Sequence, residues 1–204
     1  MKRAQYCNRP PMRLDSTDRA ATAASLPDSG HATIPGGFTA FAENFTNRRY
    51  PVTQDDLKFL RMALAEAQKS YDQGGLPIGA ALVSNGKLIA VGYNRRVQDG
   101  NPIAHGEMNC LQNAGRRRRY DDTVLYTTLS PCMMCAGTTV QFGIKRVVIG
   151  ENANFGGNED FLRQFGVEVE IADDPACTSL MRRFIEEKPE LWDEDIAGRD
   201  DRPG

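Results

Sequence analysis

Leu125-Tyr126-Thr127-Thr128-Leu129-Ser130-Pro131-Cys132-Met133-Met134-Cys135 is the stretch whose reading decides the fold. Its β-branched and aromatic first half predicts a strand over Thr123 to Thr128, and a helix is expected from about Cys132 to Phe142. Lys145 to Gly150 reads as the next strand. Strands separated by a helix of this length pair in parallel, because a tight hairpin cannot bring them side by side in the same direction.

Working outward, Thr53 followed by Asp56 is a capping-box start. Leu57, Leu60, Leu64, Ala67 and Tyr71 then repeat at three and four residues, which predicts an amphipathic helix ending at Gly74-Gly75. Ala80 to Ser84 and Lys87 to Tyr93 flank Asn85-Gly86, a strong hairpin signal. A short helix is expected from His105 to Asn113, another from Glu159 to Phe165, and a strand from Val167 to Ile171. Asp174-Pro175 opens a helix that stops at Pro189. The order is helix, hairpin, then alternating helix and strand, which is an α/β pattern with helices on both faces of the sheet.

Two segments carry chemistry. Ala104-His105-Gly106-Glu107 and Pro131-Cys132-Met133-Met134-Cys135 together read H-x-E followed by P-C-x-x-C, the signature of zinc-dependent deaminases. A catalytic zinc takes three protein ligands and keeps one position open. Cys132 and Cys135, three residues apart at a helix start, can turn both sulfurs the same way, and the helix dipole there favours thiolates. His105 is the expected third ligand. Glu107, two residues on, is expected to move protons without ligating the metal. A purely structural zinc site would need a fourth ligand, and none stands out.

The 204 residues are 40% hydrophobic and 25% charged, ordinary for a globular protein, and no apolar run nears the roughly 18 residues of a membrane span. The net charge of −2 is unevenly spread. Residues 1–49 hold seven basic and four acidic side chains, which leaves −5 on the remainder. An acidic folded region exerts no general pull on a phosphate backbone, so a nucleic-acid partner is not expected. Five cysteines, at positions 7, 110, 132, 135 and 177, in a chain with no visible secretory leader indicate a reducing, cytoplasmic setting. Residues 1–49, rich in Ala, Ser, Thr, Pro and Arg, read as a disordered tail. A transit peptide or a start codon assigned ahead of Met12 are other readings of that stretch. Residues 50–198 read as the catalytic domain and 199–204 as a short C-terminal tail.

With these motifs in place, the chain resembles the fungal-type cytosine deaminases of the cytidine deaminase superfamily over about residues 52–197. The shared residues are Gly75-Leu76-Pro77-Ile78-Gly79, Gly92-Tyr93-Asn94, His105-Gly106-Glu107 and Leu125 to Cys132. Gly150-Glu151-Asn152, Asn154-Phe155, Trp192 and Glu194-Asp195-Ile196 complete the set. The resemblance implies a three-layer αβα sandwich around a five-stranded mixed sheet, one Zn2+ per subunit, a homodimer, and hydrolysis of cytosine to uracil and ammonia in pyrimidine salvage. It also implies that Asn94 orients the base and Asp195 accepts from the amino group. Phe155, Trp192 and Ile78 would wall the ring, with backbone groups near Gly106, Leu129 and Ser130 on its polar edge.

Besides the N-terminal tail, three departures stand out. Asn109-Cys110 replaces small hydroxyl residues, Arg116 to Arg119 forms an arginine run, and Asp193 replaces an aromatic. Other readings stay open: a deaminase of guanine, a pterin or a creatinine-like ring; a tRNA adenosine deaminase; or a non-catalytic zinc-stabilised module.

Overall fold

The computed structural model describes residues 51–196. The readings of residues 1–49 and 199–204 as tails lie outside the described residues.

The elements follow in the order α1 (Gln54–Asp72), β1 (Gly79–Ser84), β2 (Lys87–Tyr93), α2 (Arg96–Asp99), α3 (Gly106–Ala114) and β3 (Thr123–Leu129). Then come α4 (Met133–Phe142), β4 (Arg146–Glu151), α5 (Glu159–Gln164), β5 (Glu168–Ile171), α6 (Pro175–Glu187) and α7 (Pro189–Asp195). The strands form one five-stranded sheet in the order β2-β1-β3-β4-β5. β1 pairs antiparallel with both β2 and β3, whereas β3–β4 and β4–β5 are parallel. The mixed sheet follows from the connections: a two-residue turn reverses the chain, and the helical crossovers restore its direction. At that turn Asn85 and Gly86 both have positive φ, the geometry that Asn-Gly favours.

Alternation along the strands sorts the core into two layers. Ala80, Leu82, Leu125, Val147 and Ile149 join one cluster with Cys110 and Leu111 of α3, Ala136 of α4 and Leu162 of α5. Ala81, Val83, Tyr126 and Val148 point the other way and meet Phe59, Leu60 and Ala63 of α1. The architecture is therefore the three-layer αβα sandwich. Layer contact is close where glycine allows it. A Cβ at Gly79 would stand 2.0 Å from Ala63 O, so α1 can lie on β1 only with a glycine there.

The capping box is present. Thr53 Oγ1 accepts from Asp56 N at 3.1 Å, and the Asp56 carboxylate accepts from Thr53 N at 2.9 Å. Asp56 does more than cap. It accepts from Tyr126 Oη at 2.8 Å and from both terminal nitrogens of Arg146 at 2.6 and 3.0 Å, tying the start of α1 to β3 and β4. The arginine run lies on an exposed loop, where Arg117 meets Asp122 and Arg119 meets Asp121. Asn109 Oδ1 accepts from Tyr93 N and Cys110 Sγ faces Ala90 O, so this departure pins α3 to β2.

Two helices escape the periodicity. α2 has no buried residue, so it carries no apolar stripe. α7 follows α6 directly because Pro189, which ends one helix, occupies the first turn of the next. Among the described residues, no helix is long and apolar enough to cross a membrane.

Candidate active site

One end of the sheet collects the residues of interest. Ile78 immediately precedes β1, Asn94 follows β2, His105 caps α3, Leu129 ends β3, and Phe155 lies on the loop after β4. The loops following the parallel strands β3 and β4 open at this end, where ligands of α/β sheets commonly bind. A third cluster, with Leu76, Ile78, Leu129, Met181, Phe184 and Trp192, brings α6 and α7 over it.

His105, Cys132 and Cys135 converge there, their ligand atoms all within 4.8 Å of one another. His105 and Cys132 are the N-cap residues of α3 and α4, with extended backbone, so each projects from the mouth of its helix. Cys132 Sγ lies 3.5 Å from His105 Nδ1. One nitrogen and two sulfurs in this spacing suit a tetrahedral zinc ion, and among the described residues no fourth donor joins the group. The donor set fits a catalytic zinc centre, with one position left for chemistry.

At the helix start the two thiols shift in opposite directions while no cation sits between them. The hydrogen bond with Cys135 holds Cys132 down at about 4, against the cost of burial. Cys135 moves the opposite way, raised by that same hydrogen bond with Cys132, by burial and by Glu107. Two adjacent sulfurs cannot both ionise cheaply without a cation, and the better-buried one keeps its proton. Burial works against the His105 cation, yet the Cys132 hydrogen bond and the Asp195 charge outweigh it and hold His105 up at about 9.

Glu107 is almost fully buried at the first turn of α3. Burial pushes its carboxyl up to about 7, Cys132 adds to the rise, and His105 opposes it. Its Oε2 lies 3.4 Å from Cys135 Sγ. A carboxyl beside a metal-ligand triad that titrates near neutrality can both take and give a proton.

These groups face a cavity of about 190 Å3. Ile78, His105, Glu107, Leu129, Ser130, Cys132, Phe155, Trp192 and Asp195 all line it. Phe155 and Trp192 meet edge to face, with ring centroids 6.0 Å apart. The Asp195 side chain is only 7% exposed, and this desolvation raises its carboxyl, while His105 and Arg96 oppose the rise. Asn94 and Gly106 are not among the lining residues. Asn94 is fully buried with its backbone N–H donating to Ile78 O at 2.8 Å, and its side-chain Nδ2 has no hydrogen-bond partner. Gly106 packs under Ile78 so closely that a Cβ would lie 2.7 Å from its carbonyl oxygen. Ser130 Oγ is also buried without a partner. Cys135 is buried behind Cys132 and is not part of the lining.

Sequence reasoning missed Met133, Met134, Asn158 and Ile196 in the lining. The two methionines sit inside the Cys-x-x-Cys motif and could have been named from it. Asn158 donates to Pro131 O at 2.9 Å, a contact that nothing local announces.

The model of the cytidine and deoxycytidylate deaminase zinc-binding region matches residues 53–151. A cytosine deaminase of Candida albicans is 50% identical over 149 residues, covering 72% of this chain and 99% of the relative. The chain belongs to this deaminase family. A tRNA-specific adenosine deaminase of Bacillus subtilis is 34% identical over 148 residues, 67% of this chain and 91% of that one. Among solved structures, a tRNA A34 deaminase of A-to-I wobble editing superposes with a TM-score of 0.52 at 30% identity. That match covers 57% of this chain and 98% of the other. As a member of this family the protein is a zinc-dependent deaminase, with His105, Cys132 and Cys135 positioned to hold the ion.

Proposed function

We propose that this enzyme hydrolyses the free base cytosine to uracil and ammonia. The observation that carries the reading is the small cavity, closed over by Trp192 and Asp195 of α7. At about 190 Å3 it lies below the range of pockets that take drug-sized ligands, so it suits a single heterocycle better than a base carrying ribose. The 50% identity to a cytosine deaminase over nearly all of its length supports the same substrate. The tRNA reading requires an open mouth for a flipped nucleotide, and the contribution of Trp192 and Asp195 of α7 to the lining counts against it.

Zinc, when bound, acts as a Lewis acid that activates water for attack on C4. The remaining work belongs to the chain. Glu107 takes the proton released by the attacking water and delivers it to ring nitrogen N3. As C4 becomes tetrahedral, Glu107 moves a second proton to the exocyclic amine, which leaves as ammonia. Asp195 accepts a hydrogen bond from that amine, and Asn94 Nδ2, unpartnered in the protein, donates to the opposite edge of the ring. Phe155, Trp192 and Ile78 hold the ring flat and exclude water, while the backbone near Gly106, Leu129 and Ser130 meets its polar edge.

In the cell the enzyme would serve pyrimidine salvage as a cytoplasmic homodimer. Support for the compartment is the set of unpaired thiols at Cys110, Cys132, Cys135 and Cys177. The dimer rests on the family resemblance, and light scattering of the zinc-loaded protein tests it.

The test of the reaction is ammonia release from cytosine, cytidine, guanine, creatinine and an anticodon-loop RNA, with Glu107→Gln as control. Turnover of cytosine alone, abolished in the control, is the expected result. Turnover of RNA or of another ring with cytosine inert would overturn the substrate.

A further inference from the structure

Arg96 is not part of any motif, and its helix α2 buries nothing. Its side chain is nevertheless only 12% exposed. One terminal nitrogen donates to Asp195 Oδ1 at 3.1 Å, and the other to Glu194 Oε1 at 2.9 Å. Its backbone N–H donates to Asn94 Oδ1 at 3.0 Å, which fixes the amide so that Nδ2 is the end left free. One residue therefore meets both groups assigned to opposite edges of the base. The same Asp195 oxygen that Arg96 holds lies 3.5 Å from His105 Nε2.

Apolar packing holds the body of α7, with Leu191 and Ile196 against the cluster that contains Trp192, and leaves the carboxylates of its last turn to polar partners. Trp192 is the one buried residue of that helix. At its start, Lys188 Nζ donates to Gly74 O at 3.1 Å. Among the described residues, Arg96 and His105 are the cationic groups that meet the carboxylates at its end.

We propose that Arg96 is a positioning residue that latches α7 over the cavity and presents Asp195 to the substrate amine. This rests on the cytosine reading for the identity of the amine, but the latch itself does not. A guanidinium suits the task because its rigid planar fork fixes the direction of its bond to Asp195, where an ammonium is a single point charge. The Asp195 arm is the effective one, since the Glu194 partner is 65% exposed and its pair is screened by water.

Trp192 is the sole tryptophan in the chain and lies on the helix that the latch would hold, so its fluorescence reports the latch directly. The experiment compares zinc-loaded wild type with Arg96→Gln, Arg96→Lys and Glu194→Gln. Each is read by acrylamide quenching of Trp192 without substrate, by cytosine kinetics, and by circular-dichroism melting. Arg96→Gln should make Trp192 several times more quenchable and raise KM about tenfold, with a smaller loss in kcat. Arg96→Lys should fall between it and wild type, and Glu194→Gln should match wild type in both readouts. Should Arg96→Gln fail to fold, Arg96→Lys carries the comparison. Quenching in the Arg96 variants that equals wild type would overturn the latch, whatever happens to turnover. A wild-type enzyme inert on cytosine would sink the substrate reading and leave the quenching result to decide the latch.

Discussion

Thr127 Oγ1 lies 3.3 Å from Glu107 Oε1 and 3.1 Å from the carbonyl oxygen of Leu129, so one hydroxyl joins the carboxyl proposed for acid–base work to the strand beneath it. A hydroxyl has one proton and two lone pairs. When Glu107 is ionised, Thr127 donates to it; when Glu107 is protonated, Thr127 accepts from it and donates to Leu129 O. The contact survives both halves of a proton-transfer cycle.

Replacing Thr127 with Val keeps the shape and removes this partner. The expected outcome is a fall in kcat of about tenfold with little change in KM, because a buried carboxyl loses a hydrogen bond in the state that needs it. Thr127→Ser should recover most of the loss. Steady-state kinetics of the two variants, with melting curves to show both are folded, decide it.

Zinc affinity should rise steeply with pH. His105, held at about 9, and Cys135, raised further, both keep protons at neutrality, while Cys132 is already ionised at about 4. Loading the metal must expel the first two, so the association constant falls as pH falls, by about two log units per pH unit near neutrality. Competition with a chromogenic chelator between pH 6 and 8 measures the slope. A flat profile would contradict the proton count. Stripping the metal should also lower the melting temperature, since the ion binds the folded state.

The Asp56–Arg146 pair should govern acid stability. Burial alone would raise Asp56, but hydrogen bonds from Arg146, Thr53 and Tyr126 overcome it and hold the carboxyl well below the usual range. With the folded value depressed, the stabilisation is complete above the unfolded value near 4 and is lost as pH falls below it. Asp56→Asn should cost about 2–3 kcal/mol at pH 7, discounted because Arg146 is partly exposed. The gap between variant and wild type should narrow at pH 3. Urea melts at the two pH values test both the size and the sign.

Phe155→Ala should weaken binding without unfolding the protein. The ring is only partly buried and meets Trp192 at an edge-to-face angle of 89°. Removing it takes away one wall of the cavity, and KM for cytosine should rise about tenfold while the melting temperature moves little. An unchanged KM would show that the ring does not touch substrate.

Much of the architecture is legible in the sequence. The Asn85-Gly86 turn, the Thr53–Asp56 box and the metal-binding triad depend on residues a few positions apart, or on a motif whose spacing mirrors its geometry. The Gly-Glu-Asn-x-Asn-Phe motif was recognised, but its construction was not. Glu151 folds that loop by accepting from Ala153 N and from the backbone and side chain of Asn154, and so sets where Phe155 stands.

The sequence by itself determined the elements, the zinc donors and the acid–base candidate, because helix caps, tight turns and chelating pairs are short-range constraints written in residue type and spacing. The tertiary structure alone decided which distant groups meet. Arg96 reaches Asp195 across 99 positions and Arg146 reaches Asp56 across 90, through a sheet order that places β1 between β2 and β3. It also set the opposite shifts of the two thiols, Cys132 down and Cys135 up in the metal-free pair, since burial and neighbouring charge set the cost of a thiolate, and neither belongs to a residue until the chain has folded around it.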